Sequence, residues 1–244
     1  MKQSFFTITE NSPLTERVSL LRLRGDCSAL ENPGQFVELA LPGFFLRRPF
    51  SVCDWTENEL RLVYEQVGKG TALLRSLPVG EKLDLLTGLG KGFDLSRTGD
   101  RPLLIGGGSG VSPLLGLARR LQDRGARPQV ILGFGRAEEL FLLDDFYRLG
   151  LAPTVTTNDG SFGIRGFVTE AMTIPHSFFY ACGPLPMLRA VCEKSPATGQ
   201  VSLDARMGCG FGACMGCTIR TANGPRRVCK DGPVFDKEAL LWED

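Results

Sequence analysis

Short apolar runs separated by Gly, Pro and Asn fill the first third of the chain. Between Ser4 and about Leu86 they read VSLLRL, FVELAL, FSVCDW, LRLVYEQV and KLDLL. Runs of this length and spacing are typical of short strands joined by turns. The pattern therefore predicts an antiparallel barrel or a sandwich, the two architectures that such strands commonly build.

A different pattern begins after the polar, turn-rich stretch Asp94–Pro102. A short strand at Leu103–Ile105, a glycine loop at Gly106–Gly110 and an apolar-faced helix at Ser112–Asp123 come first. They are followed by QVILGF, the helical pattern EELFLLDDFYRL, PTVTT and SFFYAC. Because strands and helices alternate, this part predicts a parallel sheet built from βαβ units.

Regular periodicity disappears beyond Ser195. The remaining segment is too small to bury a core of its own and needs a cross-link of some kind. It also holds four of the eight cysteines. We therefore predict three domains: an antiparallel β-barrel at 1–98, a parallel α/β domain at 99–197 and a small irregular domain at 198–244.

Charge and composition limit the classes of function that the chain can have. Lys and Arg number 28 against 27 Asp and Glu, which leaves +1 and argues against binding of nucleic acid or of an anionic membrane. The longest uncharged run, Pro102–Ala118, is too short to span a bilayer, and the N-terminus lacks the apolar run of a signal peptide, so we expect a cytoplasmic protein. With His176 as the single histidine, a Ser-His-Asp triad or a multi-histidine metal centre is hard to assemble. The chemistry must therefore come from cofactors.

Four cysteines near the C-terminus follow the spacing C-x4-C-x2-C-x11-C and are candidate metal ligands: Cys209, Cys214, Cys217 and Cys229. The first three match the plant-type ferredoxin arrangement that holds a two-iron two-sulfur cluster. Interleaved glycines allow such a loop to wrap a compact cluster. The alternative is a structural zinc site, although zinc folds usually pair two CxxC elements and only one occurs here.

Three short motifs in the predicted barrel suggest a nucleotide. Arg47–Ser51 offers a guanidinium for a pyrophosphate, an aromatic face for a ring and a hydroxyl for hydrogen bonding. Val63–Glu65 precedes Gly68–Thr71, where glycines before a predicted helix at 72–77 resemble an anion-binding helix N-terminus. The alternative for the first motif is a surface basic pair before a strand.

Two further motifs lie at strand ends of the predicted sheet. Gly106–Pro113 follows a strand and opens a helix, the context in which a glycine loop holds a dinucleotide, although the strict GxGxxG spacing is absent. Ala181–Pro184 ends a later strand at the same carboxyl edge. The alternatives are a tight turn and a plain helix start. The candidate nicotinamide contacts are Gly107, Gly108, Gly110, Cys182, Gly183 and Pro184.

Taken together, the motifs RPFS, GKGT, GGGSGVSP, YACGPLPM and MGCGFGACMGC…VCKDGPVF span nearly the whole chain. The chain resembles the electron-transfer subunit of class 1B dihydroorotate dehydrogenase, within the ferredoxin-NADP reductase superfamily. The resemblance implies a two-iron two-sulfur cluster on the four cysteines and an FAD in the barrel, held by Arg48, Pro49, Phe50, Ser51, Val63, Tyr64, Glu65, Gly70 and Thr71.

The resemblance also implies a role. Subunits of this family pass electrons from NADH through FAD and the cluster to the FMN of a separate catalytic subunit, which oxidises dihydroorotate to orotate in pyrimidine biosynthesis. The implied assembly is a heterotetramer of two plus two subunits. The sequence departs from the superfamily at Phe50, where many members have Tyr, and at Thr87–Phe93, which matches the interdomain glycine segment only loosely.

Other expectations concern specificity and partners. Thr157–Ser161 offers an acid and hydroxyls beside a single cation, Arg165, which predicts NADH rather than NADPH. No catalytic base is identified, and Cys182 is the one candidate near the nicotinamide. Phe211 and Met215 either dock the partner or shield the cluster.

Two alternative functions remain open. One is the small subunit of an NAD(P)H-dependent ferredoxin oxidoreductase or sulfide dehydrogenase, which shares this architecture. The other, of a different class, is a zinc-stabilised binding module without catalytic activity. An absorption spectrum separates the second from the rest, because flavin and iron-sulfur groups absorb visible light and zinc does not.

Overall fold

The N-terminal part is a closed antiparallel barrel in this computed structural model, which describes residues 1–242. Buried and less buried residues alternate along the last barrel strand, as a sheet with one face toward the core requires. The sequence left open an antiparallel barrel or a sandwich, and the chain forms the barrel. Its strands pair in the order β1-β2-β5-β4-β3-β6 and lie at Lys2–Pro13 (β1), Val18–Arg24 (β2), Phe36–Leu39 (β3), Arg48–Trp55 (β4), Glu59–Glu65 (β5) and Lys82–Leu89 (β6).

A seven-stranded sheet follows in the order β10-β9-β8-β7-β11-β12-β15, parallel except for its last strand. All six residues of its central strand β7 are buried, which suits a parallel strand covered on both faces. The strands lie at Pro102–Gly107 (β7), Gln129–Phe134 (β8), Thr154–Thr157 (β9), Ile164–Arg165 (β10), Phe178–Cys182 (β11), Thr198–Ser202 (β12) and Val234–Asp236 (β15).

The helices lie at Lys69–Ser76 (α1), Val111–Asp123 (α2), Leu143–Arg148 (α3), Val168–Ala171 (α4), Leu185–Lys194 (α5) and Val228–Asp231 (α6). Single 3-10 turns occur at Leu95–Arg97, Gly108–Gly110, Ala137–Glu139 and Lys237–Ala239. The predicted barrel and βαβ sheet are thus confirmed. Within residues 1–242, no helix combines the length and apolar character needed to cross a membrane.

Two helices differ from their predicted extents. The pattern EELFLLDDFYRL predicts one continuous helix, but α3 begins only at Leu143 and is preceded by Leu142 in a left-handed conformation, with φ of 63°. This break lets Phe141 and Leu142 both reach the core cluster that contains Phe146. Helix α1 begins at Lys69, three residues before its predicted start.

Helix α2 joins the barrel to the sheet. The Arg119 guanidinium donates to both carboxylate oxygens of Asp54 in β4, at 3.0 and 2.5 Å, and to the Trp55 carbonyl at 2.9 Å. The Arg120 guanidinium lies over the Trp55 ring, 3.7 Å from its centre. A partly buried, bidentate pair of this kind fixes an orientation as well as contributing energy. The two folds are therefore held together by directional contacts.

Within residues 203–242, the C-terminal segment forms no separate core and packs on the other two parts of the chain. A hairpin of β13 (Thr218–Thr221) and β14 (Gly224–Arg227) leads through α6 to β15, which returns to the sheet beside β12. Cys217 and Cys229 share one core cluster with Phe36 of the barrel and Ile105 of the sheet. The three predicted domain boundaries stay predictions. The pairing of β12 with β11 favours placing 198–202 with the sheet.

Candidate redox site

The three barrel motifs predicted to hold FAD meet at one end of the barrel. Strand β4 begins with Arg48, the antiparallel strand β5 ends at Glu65, and α1 begins just after it. Gly70 lies against the Arg48 side chain, since a Cβ at Gly70 would lie 3.2 Å from Arg48 Nε. The fold therefore brings Arg48–Ser51, Val63–Glu65, Gly70 and Thr71 to one end of the barrel, and their binding of FAD stays a prediction.

The two neighbouring arginines have different surroundings. The Arg47 guanidinium is held by β6, donating to the Asp84 carboxylate at 2.6 Å and to the Asp84 carbonyl at 2.9 Å. Arg48 forms no ion pair within residues 1–242, stacks on the Phe44 ring and donates to the Leu46 carbonyl. Arg48 is therefore the guanidinium available for an anionic group beside the first turn of α1, whose N–H groups have no partner within the helix.

The side chains of this barrel site divide into structural and accessible ones. The Phe50 ring points into the barrel core and meets Tyr64 edge to face at 5.9 Å. The Tyr64 hydroxyl donates to Asn11, and the Thr71 hydroxyl accepts from the N–H groups that precede α1. Ser51 is exposed on the outer face of β4. Ser51 is therefore the hydroxyl that a ring on this face can reach.

The two glycine motifs of the sheet also meet. They end the adjacent parallel strands β7 and β11, so both loops lie at the same edge. A Cβ at Gly110 would overlap the carbonyl of Cys182, and a Cβ at Gly183 would lie 3.2 Å from the N of Gly107. Gly108, at φ of 52°, faces open space. The loops thus pack backbone to backbone, and we call the open space beside Gly108 at this edge the slot.

Cys182 ends β11 at this edge and is buried. Burial raises the pKa of the Cys182 thiol to about 12, although a hydrogen bond with Ser202 acts in the opposite direction. At neutral pH the thiol is therefore protonated. A protonated thiol is a poor base or nucleophile, and the part of Cys182 that approaches Gly110 is its backbone carbonyl.

The four predicted ligand cysteines fall into two pairs. The Cys209 sulfur accepts the N–H groups of Ala213 at 3.2 Å and Cys214 at 3.4 Å, and the Cys217 sulfur accepts the N–H of Cys229 at 3.4 Å. Within residues 1–242, no three His, Cys, Asp or Glu side chains converge on one ion. Two pairs of thiols fit a cluster with two irons, each needing two protein ligands.

Local electrostatics differ between the pairs. Burial opposes ionisation of Cys209, but hydrogen bonds from Cys214, Phe211 and Ala213 outweigh it and lower the pKa of the thiol to about 6. Burial raises the pKa of Cys229 to about 12, and the adjacent Cys217 sulfur acts in the same direction. Metal-binding cysteines must be thiolates, so Cys209 is prepared for the metal whereas Cys229 depends on the metal to lose its proton.

The cysteine loop rests on the outer face of β3. Gly210, with φ of 76°, lies over Glu38, and a Cβ there would lie 2.5 Å from Glu38 Cγ and Oε1. Glu38 is 1% exposed. Burial raises the pKa of its carboxyl to about 7, the negative charge of Cys209 acts in the same direction, and the charge of Arg47 opposes both.

Sequence reasoning did not single out Glu38 or Arg136, two charged residues that the fold places under the cysteine loop and after β8. The signal for Glu38 was available, since a single acid stands inside the apolar run FVELAL. Arg136 follows β8 at the carboxyl edge of the sheet and forms ion pairs with Glu138 and Glu139. Its place at that edge is visible only once the strand order is known.

Comparison with known proteins places the chain. Residues 204–241 match the iron-sulfur cluster binding domain of dihydroorotate dehydrogenase B. The dihydroorotate dehydrogenase B (NAD(+)) electron transfer subunit of Geobacillus sp. (strain WCH70) is 40% identical over 96% of this chain and 97% of its own length. The subunit of the same name from Bacillus caldolyticus is 40% identical over 94% of this chain and 95% of its own length.

The chain belongs to the family of dihydroorotate dehydrogenase B electron transfer subunits. The resemblance suggested by the motifs is thereby confirmed. Fusobacterium nucleatum has a more distant member that is 36% identical over 96% of this chain and 97% of its own length. Since members align over nearly their full length, the barrel, the sheet and the cysteine segment belong to the family as one unit.

Solved structures agree with this fold. The structure of an NADH-dependent reduced ferredoxin-NADP oxidoreductase matches with a TM-score of 0.89 and 28% identity, over 98% of this chain and 90% of that one. A ferredoxin NADP+ reductase from Neisseria gonorrhoeae, solved with bound FAD and NADP, matches with a TM-score of 0.69 and 20% identity, over 80% of this chain and 90% of that one. At that identity, the second match shows the fold alone.

Proposed function

We propose that the chain passes electrons between NAD, a bound FAD, a two-iron two-sulfur cluster and the FMN of a separate catalytic subunit. It thereby couples oxidation of dihydroorotate to orotate with reduction of NAD in pyrimidine biosynthesis. The observation that carries the proposal is the position of the four-cysteine loop. The loop packs on β3, whose Phe36 pairs in register with Ser51 of β4, so the cysteines and the predicted flavin contacts occupy one region.

Residues of the barrel bind and orient the flavin nucleotide. The Arg48 guanidinium and the first N–H groups of α1 bind its pyrophosphate, and the close approach of Gly70 to Arg48 leaves no space for a larger residue between them. Ser51 presents a hydroxyl to the ring, and Phe50 and Tyr64 support the strand from inside the barrel. When bound, the flavin takes up two electrons and the cluster carries one at a time.

The sheet edge binds the nicotinamide. Gly107, Gly110 and Gly183 bring two backbone loops into contact and shape the slot. The protonated thiol of Cys182 takes no proton from the substrate. No base is needed for transfer of a hydride, so the slot has to orient the nicotinamide and exclude water.

The four-cysteine loop is the part of the chain from which electrons pass to the partner subunit. Phe211 and Met215 are 45% and 53% exposed beside the ligand cysteines, which supports docking over shielding, since a shielding side chain would itself be covered. The FMN subunit, the two-plus-two assembly and the cytoplasmic location remain part of the proposal. Because the net charge of the chain is only +1, apolar contact is the main attraction between the chain and its partner subunit.

The isolated chain is expected to oxidise NADH with a dye acceptor but not to oxidise dihydroorotate. In the sequence, no candidate base lies beside a glycine-rich or basic motif that is still unassigned, so no site for a small ring carboxylate is identified. The assay uses purified holoprotein with each substrate and dye, then adds the FMN subunit and measures NAD-dependent orotate formation. Light scattering of the mixture gives the assembly size. Turnover of dihydroorotate by the isolated chain contradicts the proposal.

A second candidate is the small subunit of an NADH-dependent ferredoxin oxidoreductase. The structural match over 98% of the chain to such an enzyme favours it. The two candidates differ in the partner they serve. Reconstitution with the FMN subunit yields orotate-forming activity only under the first, whereas ferredoxin reduction without dihydroorotate turnover supports the second.

We expect NADH to be preferred over NADPH by about tenfold or more in kcat/KM, because an acid beside the 2′-phosphate repels it. The exposed Asp159 carboxylate accepts from the N–H and hydroxyl of Ser161, and these hydrogen bonds hold its pKa below the usual range. Initial rates with both nucleotides and a dye acceptor measure the ratio. The Asp159→Asn variant should narrow it, and a preference for NADPH in the native protein refutes the prediction.

A further inference from the structure

Glu38 carries a buried carboxyl group that nothing in the described chain satisfies. Its side chain is 1% exposed. Neither Oε1 nor Oε2 has a hydrogen-bond partner among residues 1–242. A buried polar group in this state costs free energy, so its retention calls for an explanation in terms of a group that the site binds.

The carboxyl lies between the cysteine loop and the strand with the predicted flavin contacts. Phe36 and Glu38 are two residues apart and share the outer face of β3. Phe36 packs in the core cluster that holds Cys217, and Gly210 of the cysteine loop covers Glu38. In register across the strands, Glu38 pairs with Pro49 of β4 on one side and with Leu86 of β6 on the other.

The surroundings favour the uncharged acid. The charges of Arg47 and Arg48 favour the carboxylate. The Arg47 guanidinium, however, donates to the Asp84 carboxylate and to the backbone carbonyl of Glu38, and no side-chain donor within residues 1–242 reaches the Glu38 carboxyl oxygens. A carboxylate without donors is strongly disfavoured in an apolar setting, and a nearby anionic cluster disfavours it further. The uncharged carboxylic acid has one O–H donor, and thiolate sulfur is an acceptor for it.

We propose that Glu38 is a positioning residue for the cluster, whose uncharged carboxylic acid donates a hydrogen bond toward the sulfur atoms held by the 209–217 loop. Hydrogen bonds to the sulfurs are one of the ways in which a protein sets the reduction potential of such a cluster. Glu38 therefore makes the cluster easier to reduce. The inference rests on the proposed function, because it requires the cluster to be present.

Three variants separate the donor from the charge and from the packing. Glu38→Gln keeps the length and supplies an N–H donor without an ionisable group. Glu38→Met keeps a similar side-chain length without a donor. Glu38→Ala removes the donor together with most of the side chain. Glu81→Gln, on an exposed turn of the same barrel, is the matched control.

The measurement is a redox titration of the holoprotein, in which the paramagnetic signal of the reduced cluster is followed against potential. Glu38→Gln and Glu81→Gln are expected to leave the midpoint potential unchanged. Glu38→Met and Glu38→Ala are expected to lower the equilibrium constant for one-electron reduction about tenfold, which is about 59 mV. A merely structural role would lower thermal stability in these variants without moving the potential.

Native potentials in both donor-free variants overturn the proposal, and so does a raised potential in Glu38→Gln, which would reveal a carboxylate. If neither donor-free variant holds a cluster, Glu38→Gln decides alone, with an unchanged potential supporting the proposal. Absence of any cluster signal in the unaltered protein overturns the proposed function instead. The two failures are therefore distinguishable.

Discussion

Replacement of Cys214 by serine is expected to remove the visible and paramagnetic signals of the cluster and to abolish electron delivery to the catalytic subunit. Cys214 is exposed and its N–H bonds to the Cys209 sulfur, so the two residues form one pair at the outer side of the loop. A serine hydroxyl is a far weaker ligand for iron than a thiolate, since soft thiolates are what these clusters require. With one ligand of the pair gone, the remaining three cannot complete the two-plus-two arrangement.

The measurement combines an absorption spectrum, a reduced-state paramagnetic spectrum and the rate of electron transfer to the FMN subunit. FAD content should stay near native, because the predicted flavin contacts lie at residues 48–71. Cys192→Ser is the matched control: it removes a half-buried cysteine of α5 that lies outside the four-cysteine segment. An unchanged paramagnetic signal in Cys214→Ser contradicts the assignment of this ligand.

Much of the fold could be predicted because local patterns and tertiary structure agree. Alternation along KLDLL follows the barrel face of β6, and the glycine loop after β7 lies where a parallel strand must turn into a helix. Where the hydrophobic pattern is short or lacks periodicity, the sequence does not predict the secondary structure. Strand β12 reads TGQVS, which has no apolar alternation, and it becomes a strand because β11 and β15 flank it.

Helix α3 shows the opposite case, in which a clear local pattern is overridden. Its leucine-rich sequence has helical period, but Phe141 meets Phe134 edge to face, Leu142 is buried in the same core cluster, and residue 142 takes a left-handed conformation. Packing in the finished sheet decides this geometry, and no local propensity encodes it. The same reasoning explains why the break could not be predicted.

The candidate site was predictable as a set of motifs but not as an arrangement. Cysteine spacing indicated the ligands, and the structure adds that they form two pairs. Arg47 and Arg48 look equivalent in sequence, and only the fold shows that the Arg47 guanidinium forms an ion pair with Asp84. Glu38 is the strongest example, because its role depends on a loop that lies more than a hundred residues away in sequence and covers it in space.

Substitution of Gly110 by alanine is expected to lower kcat/KM for NADH about 10²-fold, the size of loss that a small misplacement in an active site produces. Gly110 has an ordinary helical backbone, with φ of −66°, so alanine is not disfavoured by conformation. The obstacle is steric. A Cβ there would overlap the Cys182 carbonyl and lie 2.5 Å from the N of Gly183, and both are backbone atoms that cannot swing aside.

The two loops must therefore separate, and the slot between the carboxyl ends of β7 and β11 changes shape. Steady-state rates with NADH and a dye acceptor give KM and kcat, and the FAD content and thermal midpoint show whether the barrel and the fold are intact. Gly125→Ala is the matched control, because a Cβ at that turn of the same domain meets open space. Its φ of 84° costs about 1 to 2 kcal/mol of stability in a non-glycine residue, but it lies outside the slot and should leave the NADH kinetics unchanged. Native kinetics in Gly110→Ala would place the nicotinamide elsewhere, because a slot formed by these two backbone loops cannot accept an added methyl group without moving them apart.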